Sequence, residues 1–228
     1  MDDVAARSAP LSLLSLCAGI GGFELGIRLA VGGRSRCVGY VERNGFAASV
    51  LVARMEDATL DRAPVWSCVE SFDGAAWRGC VDLICAGWPC TDISTAGRGE
   101  GIREGNASGL WFDIARVVRE VEPRWIVLEN SPALTSRGLG DVLGDLARLG
   151  FDAEWDLFSA SASGAPHIRQ RFFMVARRVS DTDCAALRNI AERRPGGART
   201  AERGDTEPAQ LGDEAMADAF CKRSQGII

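Results

Sequence analysis

Short apolar runs alternate with amphipathic segments along most of the chain. The apolar runs predict strands, which lie at 11–17, 37–41, 65–69, 81–86, 125–128, 152–158 and 172–176. Apolar residues at helical spacing predict helices between them, at 23–31, 45–55, 110–121 and 141–149. Gly150 is well placed as the cap of the last helix. Such alternation favours an α/β fold with a mostly parallel sheet and right-handed crossovers.

The pattern changes after about Arg178. From residue 180 to 228 the chain is rich in Ala, Arg, Glu, Asp and Gly and poor in large apolar residues. Such a segment buries too little apolar surface to offset the entropy that is lost on ordering. We therefore predict one folded domain over 11–178. Over 179–228 we expect a low-complexity tail that is disordered or begins an incomplete second domain.

Composition and charge narrow the functional classes. The 228-residue chain has a net charge of −5, which argues against a protein coated in positive charge for nucleic acid but leaves room for a local basic face. No apolar run is long enough to cross a bilayer, and the N-terminus has no secretory signal pattern. A cytoplasmic protein with reduced thiols fits the eight cysteines. They include no Cys-x-x-Cys pair, and His167 is the single histidine, so we expect no metal site.

A glycine-rich turn separates the first predicted strand from the first predicted helix. Its sequence, Ala-Gly-Ile-Gly-Gly-Phe at 18–23, lets the backbone approach a ligand at a helix N-terminus. It departs from Gly-x-Gly-x-x-Gly, so a dinucleotide is not the first choice. Glu42 ends the second strand, where a carboxylate can accept both ribose hydroxyls of an adenosyl cofactor. The pair indicates such a cofactor, although a structural turn beside a solvated glutamate remains open.

Two reactive side chains follow two other predicted strands. Cys90 comes just past the strand at 81–86, and Glu129 comes at the end of the strand at 125–128. The carboxyl ends of strands in an open α/β sheet gather at one crevice, which is the usual ligand site. A thiol there can add to an electron-poor carbon while the acid handles a proton. The sequence therefore predicts that these two residues form a catalytic pair.

Four segments together resemble the cytosine-5 DNA methyltransferases, over roughly residues 11–178. Leu-Cys-Ala-Gly-Ile-Gly-Gly-Phe-Glu (16–24) resembles the cofactor loop of that family, and Ala-Gly-Trp-Pro-Cys (86–90) resembles its nucleophile loop. Leu-Glu-Asn (128–130) resembles its acidic motif. Pro-His-Ile-Arg-Gln-Arg (166–171) resembles its Gln-x-Arg-x-Arg segment, with His167 in place of the usual glutamine. Four motifs in the family's order and spacing make a highly specific resemblance.

The resemblance implies a fold, a cofactor and a reaction. The implied fold is a Rossmann-like methyltransferase sheet whose last two strands form an antiparallel hairpin, and the implied cofactor is S-adenosylmethionine. The implied reaction is methylation of carbon 5 of cytosine in double-stranded DNA, in a restriction-modification setting, on a base flipped out of the duplex. By the same resemblance Cys90 adds to carbon 6 of the ring, and Glu129 stabilises the adduct at ring N3.

Other residues take roles by the same resemblance. Arg169 and Arg171 favour the thiolate and anchor cytosine O2, or, in a plainer interpretation, pair at the edge of a surface strand. The predicted cofactor residues are Cys17, Ala18, Gly19, Gly21, Gly22, Phe23, Glu42, Cys68, Pro89 and Leu110. A glycine-rich loop at 91–108 suits a moving lid, or is a plain mobile loop. Its predicted DNA contacts are Ser94, Arg98 and Arg103.

The chain departs from the family pattern at several positions. Cys17 stands where the family usually has an aromatic residue near the adenine, and Cys68 stands where an acidic residue usually meets the adenine amino group. A thiol accepts that hydrogen bond poorly, so we expect cofactor affinity to suffer. Thr91 replaces the glutamine that is common after the nucleophile. No target-recognition region or later family motif is recognisable in 180–228, so we expect a truncated or split enzyme, or one that a partner chain completes.

Three alternative functions remain open. A transfer RNA substrate would keep the chemistry, but the sequence after Cys90 does not favour it. An inactive or split fragment would bind the cofactor or a partner chain and would need the missing C-terminal half for activity. A nicotinamide-binding oxidoreductase is disfavoured, because the glycine pattern is wrong and because Cys90 and Glu129 would be idle.

Overall fold

A computed structural model describes residues 9–89 and 109–179 of the chain. The strands are β1 Leu11–Leu16, β2 Ser35–Val41, β3 Val65–Trp66, β4 Leu83–Gly87, β5 Trp125–Asn130, β6 Phe151–Ser159 and β7 Gln170–Arg178. The α-helices are α1 Gly22–Ala30, α2 Gly45–Glu56, α3 Leu110–Val121, α4 Leu134–Arg137 and α5 Leu139–Arg148. Two short 3-10 helices, Ala75–Trp77 and Ala160–Ser163, complete these elements. None of the helices in the described ranges is long and apolar enough to cross a membrane.

All seven strands form one sheet in the order β3-β2-β1-β4-β5-β7-β6. The first five positions of that order pair in parallel, whereas β7 pairs antiparallel with both β5 and β6. The predicted α/β class, the mostly parallel sheet and the terminal antiparallel hairpin are therefore confirmed. Because the parallel strands point the same way, the carboxyl ends of β1, β2, β4 and β5 lie at one edge of the sheet.

The hydrophobic core lies on both faces of the sheet. Along β1, Leu13 belongs to one buried cluster and Leu14 to the other, since successive side chains point to opposite faces. Ile27 of α1 and Leu51 of α2 pack into the first cluster, and Trp111 of α3 packs into the second together with α5. Burial on both faces explains why the strands are continuous apolar runs rather than alternating ones.

Some elements differ from the sequence prediction in length or in kind. The third strand is only two residues long, so the chain from 67 to 74 runs without a helix or strand. The short helix α4 was not predicted, because four residues cannot show a helical period. The helix predicted at 141–149 begins earlier, at Leu139, and Gly150 follows it with a φ of +81°, as expected of a cap.

Candidate active site

Two cavities open at the edge of the sheet where β1, β2, β4 and β5 end. The first, which we call the Glu42 cavity, has a volume of about 1260 Å³. Six of the predicted cofactor residues line it: Cys17, Gly19, Glu42, Cys68, Pro89 and Leu110. Residues that the sequence did not single out also line it, including Arg43, Asn44, Glu70, Asp113 and Arg116.

Glu42 ties the glycine turn to the end of β2. Its Oε2 atom accepts a hydrogen bond from the Gly19 amide at 2.7 Å, and its Oε1 atom accepts one from the Asn44 amide at 2.6 Å. Asn44 in turn caps α2, because its side chain accepts hydrogen bonds from the amides of Phe46 and Ala47. Each carboxylate oxygen can accept a second hydrogen bond, so Glu42 can also receive hydroxyl donors from a ligand in the cavity.

The turn itself is shaped by residues in left-handed backbone conformations. Gly21, directly before α1, has a φ of +83°, and a Cβ added there would lie 2.3 Å from Cδ1 of Leu60. Only glycine fits this position, and Gly21 lines neither cavity. Cys17 also has a positive φ of 54°, and burial raises the pKa of its thiol to about 12, with Glu42 and Cys68 adding to the shift. The Cys17 thiol is therefore protonated near neutrality.

The second cavity, which we call the Glu129 cavity, has a volume of about 500 Å³. Three residues of the predicted catalytic group line it, namely Glu129, Arg169 and Arg171. Phe23 of α1 and Phe173 of β7 also line it, and their ring centroids lie 6.0 Å apart in an edge-to-face contact. The cavity thus combines a carboxylate and two guanidinium groups with aromatic walls.

The charge state of Glu129 is set by opposing influences. Burial raises the pKa of this carboxyl group above its ordinary value, and the nearby Arg171 and Arg169 oppose that rise. Arg171 forms an ion pair with it, with 2.8 Å between Nε and Oε1. A carboxyl group with a raised pKa, directed into a partly apolar cavity, can exchange a proton or a hydrogen bond with a heterocyclic ring.

The two cavities adjoin, since Cys17 and Gly87 line both of them. Gly87 pairs with Glu129 across β4 and β5, and a Cβ on Gly87 would lie 3.1 Å from Oε2 of Glu129. The end of β4 is also held to β5 by a hydrogen bond of 3.4 Å from the side-chain amide of Asn130 to the carbonyl oxygen of Trp88. The backbone that leads toward residue 90 is therefore tied to the strand that carries Glu129.

The other residues of the sequence motifs and of the predicted loop fall in three groups. Ala18, Gly22 and Phe23 were predicted at the cofactor, but they line the Glu129 cavity and not the Glu42 cavity. His167 is exposed and lines neither cavity. The residue predicted as the nucleophile, Cys90, and the predicted DNA contacts Ser94, Arg98 and Arg103 lie outside the described residues.

Comparison with known protein families agrees with this arrangement. A family model described as C-5 cytosine-specific DNA methylase matches residues 11–203. The chain belongs to the C-5 cytosine-specific DNA methylase family. The resemblance that the four sequence motifs predicted is thereby confirmed, and S-adenosylmethionine is the methyl donor of this family.

Curated relatives in the family are restriction-modification methyltransferases. The Type II methyltransferase M.CviJI of Paramecium bursaria Chlorella virus IL3A is 36% identical over 166 residues, which cover 72% of this chain and 42% of the relative. The Type II methyltransferase M.NgoMIV of Neisseria gonorrhoeae is 29% identical over 182 residues, which cover 75% of this chain and 53% of the relative. The chain thus spans about half the length of these relatives.

Solved structures share the fold of this family member. A mutant of Spodoptera frugiperda DNMT2 superposes with a TM-score of 0.61 at 19% identity, over 75% of this chain and 51% of that chain. A putative DNA modification methyltransferase from an Escherichia coli prophage superposes with a TM-score of 0.58 at 22% identity, over 75% of this chain and 49% of that chain. At these identities both likenesses concern the fold alone.

Proposed function

We propose that the chain transfers a methyl group from S-adenosylmethionine to carbon 5 of cytosine in double-stranded DNA. The observation that carries the proposal is the pair of adjoining cavities, one with Glu42 at a glycine turn and one with Glu129 and two arginines. A methyl donor in the first and a planar base in the second would meet at the shared wall of Cys17 and Gly87. Membership of the family supports the same reaction class.

The residues of the Glu42 cavity fit an adenosyl cofactor. Glu42 keeps acceptor capacity for ribose hydroxyls, while the Gly19 backbone and the apolar side chain of Leu110 border the same space. When bound, S-adenosylmethionine would supply an electrophilic methyl group. The thiol of Cys68 accepts hydrogen bonds poorly, so the adenine amino group would need another acceptor, and the carboxylates of Glu70 and Asp113 line the same cavity.

The residues of the Glu129 cavity fit a cytosine rotated out of the duplex. Glu129 would hydrogen-bond or protonate ring N3, which its raised pKa favours. Arg171 and Arg169 would bind the O2 atom of the same ring. Phe23 and Phe173, whose rings are in contact, would exclude water from their part of the cavity, which strengthens these polar contacts. Rotation of the base is required because carbon 6 is inaccessible inside stacked DNA.

The covalent step belongs to Cys90. Its thiolate would add to carbon 6 of the ring, which turns carbon 5 into a nucleophile. Carbon 5 would then take the methyl group from the sulfonium as its sulfur–methyl bond breaks and S-adenosylhomocysteine leaves. Loss of the carbon 5 proton to a base and departure of the Cys90 thiolate would then restore the aromatic ring. Only a few per cent of an ordinary thiol, with a pKa of about 8.5, is ionised near neutrality, so the two arginines would assist by favouring the thiolate.

The remaining assignments extend this proposal. The catalytic domain spans 11–178, and residues 179–228 begin the recognition region or form a tail. Ser94, Arg98 and Arg103 would contact DNA phosphates from the loop at 91–108. A second chain that carries the recognition region would complete DNA binding. Because the proposed substrate is double-stranded DNA inside a cell, the reaction would take place in the cytoplasm.

Trapping with a fluorinated substrate tests the covalent mechanism. The chain is incubated with S-adenosylmethionine and duplex DNA that contains 5-fluorocytosine. In this base fluorine replaces the carbon 5 proton that must be removed before the thiolate can leave, so the covalent adduct persists. We expect a covalent protein–DNA complex that is lost in Cys90→Ala and kept in Cys80→Ala, since Cys80 is exposed and lines neither cavity. Cofactor binding without an adduct, even with a partner chain supplied, would reject the mechanism for this chain. Methylation of transfer RNA but not of DNA would show that the substrate is transfer RNA.

A further inference from the structure

An arginine in the middle of α3 is hydrogen-bonded to the opposite wall of the Glu42 cavity. The Nη2 atom of Arg116 donates to the carbonyl oxygens of Val69 and Glu70, at 2.7 and 3.2 Å. Its Nη1 atom donates to the carbonyl oxygen of Phe72 at 2.9 Å and to Oε2 of Glu120 at 3.0 Å. Glu120 Oε1 also accepts from Nη1 at 3.1 Å, so three carbonyl groups and one carboxylate take up the four hydrogens of the two terminal nitrogens.

The wall that Arg116 contacts has no regular structure of its own. Residues 67–74 follow the two-residue strand β3 and contain no helix or strand, so their carbonyl groups have no sheet or helix ladder to join. Cys68, Val69 and Glu70 of this wall line the Glu42 cavity, and Arg116 lines it from the other side. The side chains of Val69 and Phe72 pack in the core, and α3 supplies donors to the backbone carbonyl groups between them and the cavity.

A second contact from α3 fixes the far end of the same wall. The Oε2 atom of Glu120 accepts a hydrogen bond from the Gly74 amide at 3.0 Å. A Cβ added to Gly74 would lie 3.0 Å from Cβ of Glu120 and 3.2 Å from the carbonyl oxygen of Val117, which is tighter than ordinary contact. A side chain at position 74 would therefore push residues 69–74 and α3 apart by a few tenths of an ångström. We call the contacts of Arg116 and Glu120 with residues 69–74 the α3 clamp.

We infer that Arg116 is a positioning residue for the cofactor, because the α3 clamp sets the distance between the two walls of the Glu42 cavity. The inference rests on the proposed function, in which that cavity binds S-adenosylmethionine. Arg116 need not touch the cofactor for this role, since it acts through the backbone of residues 69–72. A lysine, with three hydrogens on one nitrogen, cannot reach the four acceptors together. The positive charge of a lysine should therefore not be enough to hold residues 69–72 in place.

Calorimetric titration with S-adenosylmethionine tests the inference on the full chain. We expect Arg116→Gln to raise the dissociation constant at least about tenfold, and Arg116→Lys to recover only part of the loss. Arg119→Gln, an equal change of charge at an exposed position of the same helix, is the control and should bind like the wild type. Gly74→Ala disturbs the clamp without a change of charge, so it should also weaken the binding of S-adenosylmethionine. This variant replaces Arg116→Gln as the test if Arg116→Gln does not fold.

Hydrogen exchange of the cofactor-free protein measures the effect of the α3 clamp on residues 67–74 independently of cofactor binding. Amides of residues 67–74 should exchange faster in Arg116→Gln than in Arg119→Gln. Saturating cofactor should restore turnover of Arg116→Gln to near the wild-type kcat, because the clamp affects binding and not the reacting atoms. Dissociation constants within twofold of the wild type for both Arg116→Gln and Gly74→Ala would overturn the inference. A wild-type chain that binds no S-adenosylmethionine would overturn the proposed function itself, and the inference with it.

Discussion

The Nε atom of Arg171 lies 2.8 Å from Oε1 of Glu129, so a guanidinium from β7 is paired with the carboxylate at the end of β5. The two strands are antiparallel neighbours, and this pairing brings the two motifs together although the chain between them includes two helices and β6. Burial and the ion pair act on the carboxyl group in opposite directions, and burial has the larger effect. The proton affinity of Glu129 is thus tuned by its neighbour.

Replacement of Glu129 by glutamine should separate catalysis from cofactor binding. The amide keeps the shape but cannot supply a proton to ring N3, so we expect Glu129→Gln to lower the methyl-transfer rate by about 10²–10⁴-fold. The affinity for S-adenosylmethionine should stay close to that of the wild type, because Glu129 lines the other cavity. Single-turnover methylation and calorimetry measure the two quantities.

The control for this variant is Glu154→Gln on the exposed edge strand β6, which should change neither quantity. An equal loss of methyl transfer and cofactor affinity in Glu129→Gln would contradict a role at the base.

Removal of the ion pair should move the pH dependence of the reaction. Arg171 lowers the pKa of Glu129 against the effect of burial, so Arg171→Gln should raise that pKa further. The limb of the pH–rate profile that reports Glu129 should then shift to higher pH. The maximum rate should also fall, because the cytosine loses the proposed contact of Arg171 with its O2 atom. Arg177→Gln, at the far end of the same strand, should leave the limb in place. An unshifted limb in Arg171→Gln would show that the profile reports another group.

The sheet could be predicted from the sequence because its signal is local. Each strand is an apolar run, and burial of Leu13 and Leu14 on opposite faces requires that every position of the run be apolar. Glu42 and Glu129, which follow two of these runs, line the two adjoining cavities at one edge of the sheet. Helix α4 was not predicted, because a segment of four residues is too short to show the spacing of apolar residues that marks a helix.

The detailed arrangement of the site was not predictable in the same way. Cys17 and Gly21 have positive φ angles in the turn between β1 and α1, and Phe23 after this turn lines the Glu129 cavity and not the Glu42 cavity. Arg116 carries no local signal, since its acceptors lie in the segment after β3 and are brought near only by packing of α3. Contacts between distant segments depend on tertiary structure, which spacing along the chain does not encode.

The glycine turn offers a matched pair of stability variants. Gly21→Ala combines a φ of +83° with a Cβ 2.3 Å from Cδ1 of Leu60, so we expect a loss of about 2–4 kcal/mol in the free energy of unfolding. Gly22→Ala has no atom within 4 Å of the new Cβ and lies in the first turn of α1, so its effect should stay below about 1 kcal/mol. Urea denaturation measures both. Equal losses in the two variants would show that the steric fit at Gly21 is not the cause.

A buried carboxyl group beneath the same turn should make stability depend on pH. Glu24 is only 4% exposed, and its carboxylate makes no hydrogen bond of good geometry in the described part of the chain, although the nearby Ser15 and Arg54 lower its pKa against the effect of burial. Burial is the largest influence on its pKa, which is raised above the ordinary value of 4.5. At low pH the group is protonated in both states. As pH rises past the ordinary value, the unfolded chain releases the proton while the folded protein keeps it, so stability falls until the folded pKa is passed.

Glu24→Gln removes this titration while it keeps the shape of the side chain. We therefore expect the variant to gain melting temperature relative to the wild type as pH is raised from 5 to 8, because only the wild type must keep a proton or bury a charge. Thermal melts across that range measure the difference. Glu56→Gln, an exposed carboxylate at the end of α2, should show no such trend. A constant difference between Glu24→Gln and the wild type at every pH would mean that the carboxyl group titrates alike in the folded and unfolded states, and that burial does not control it.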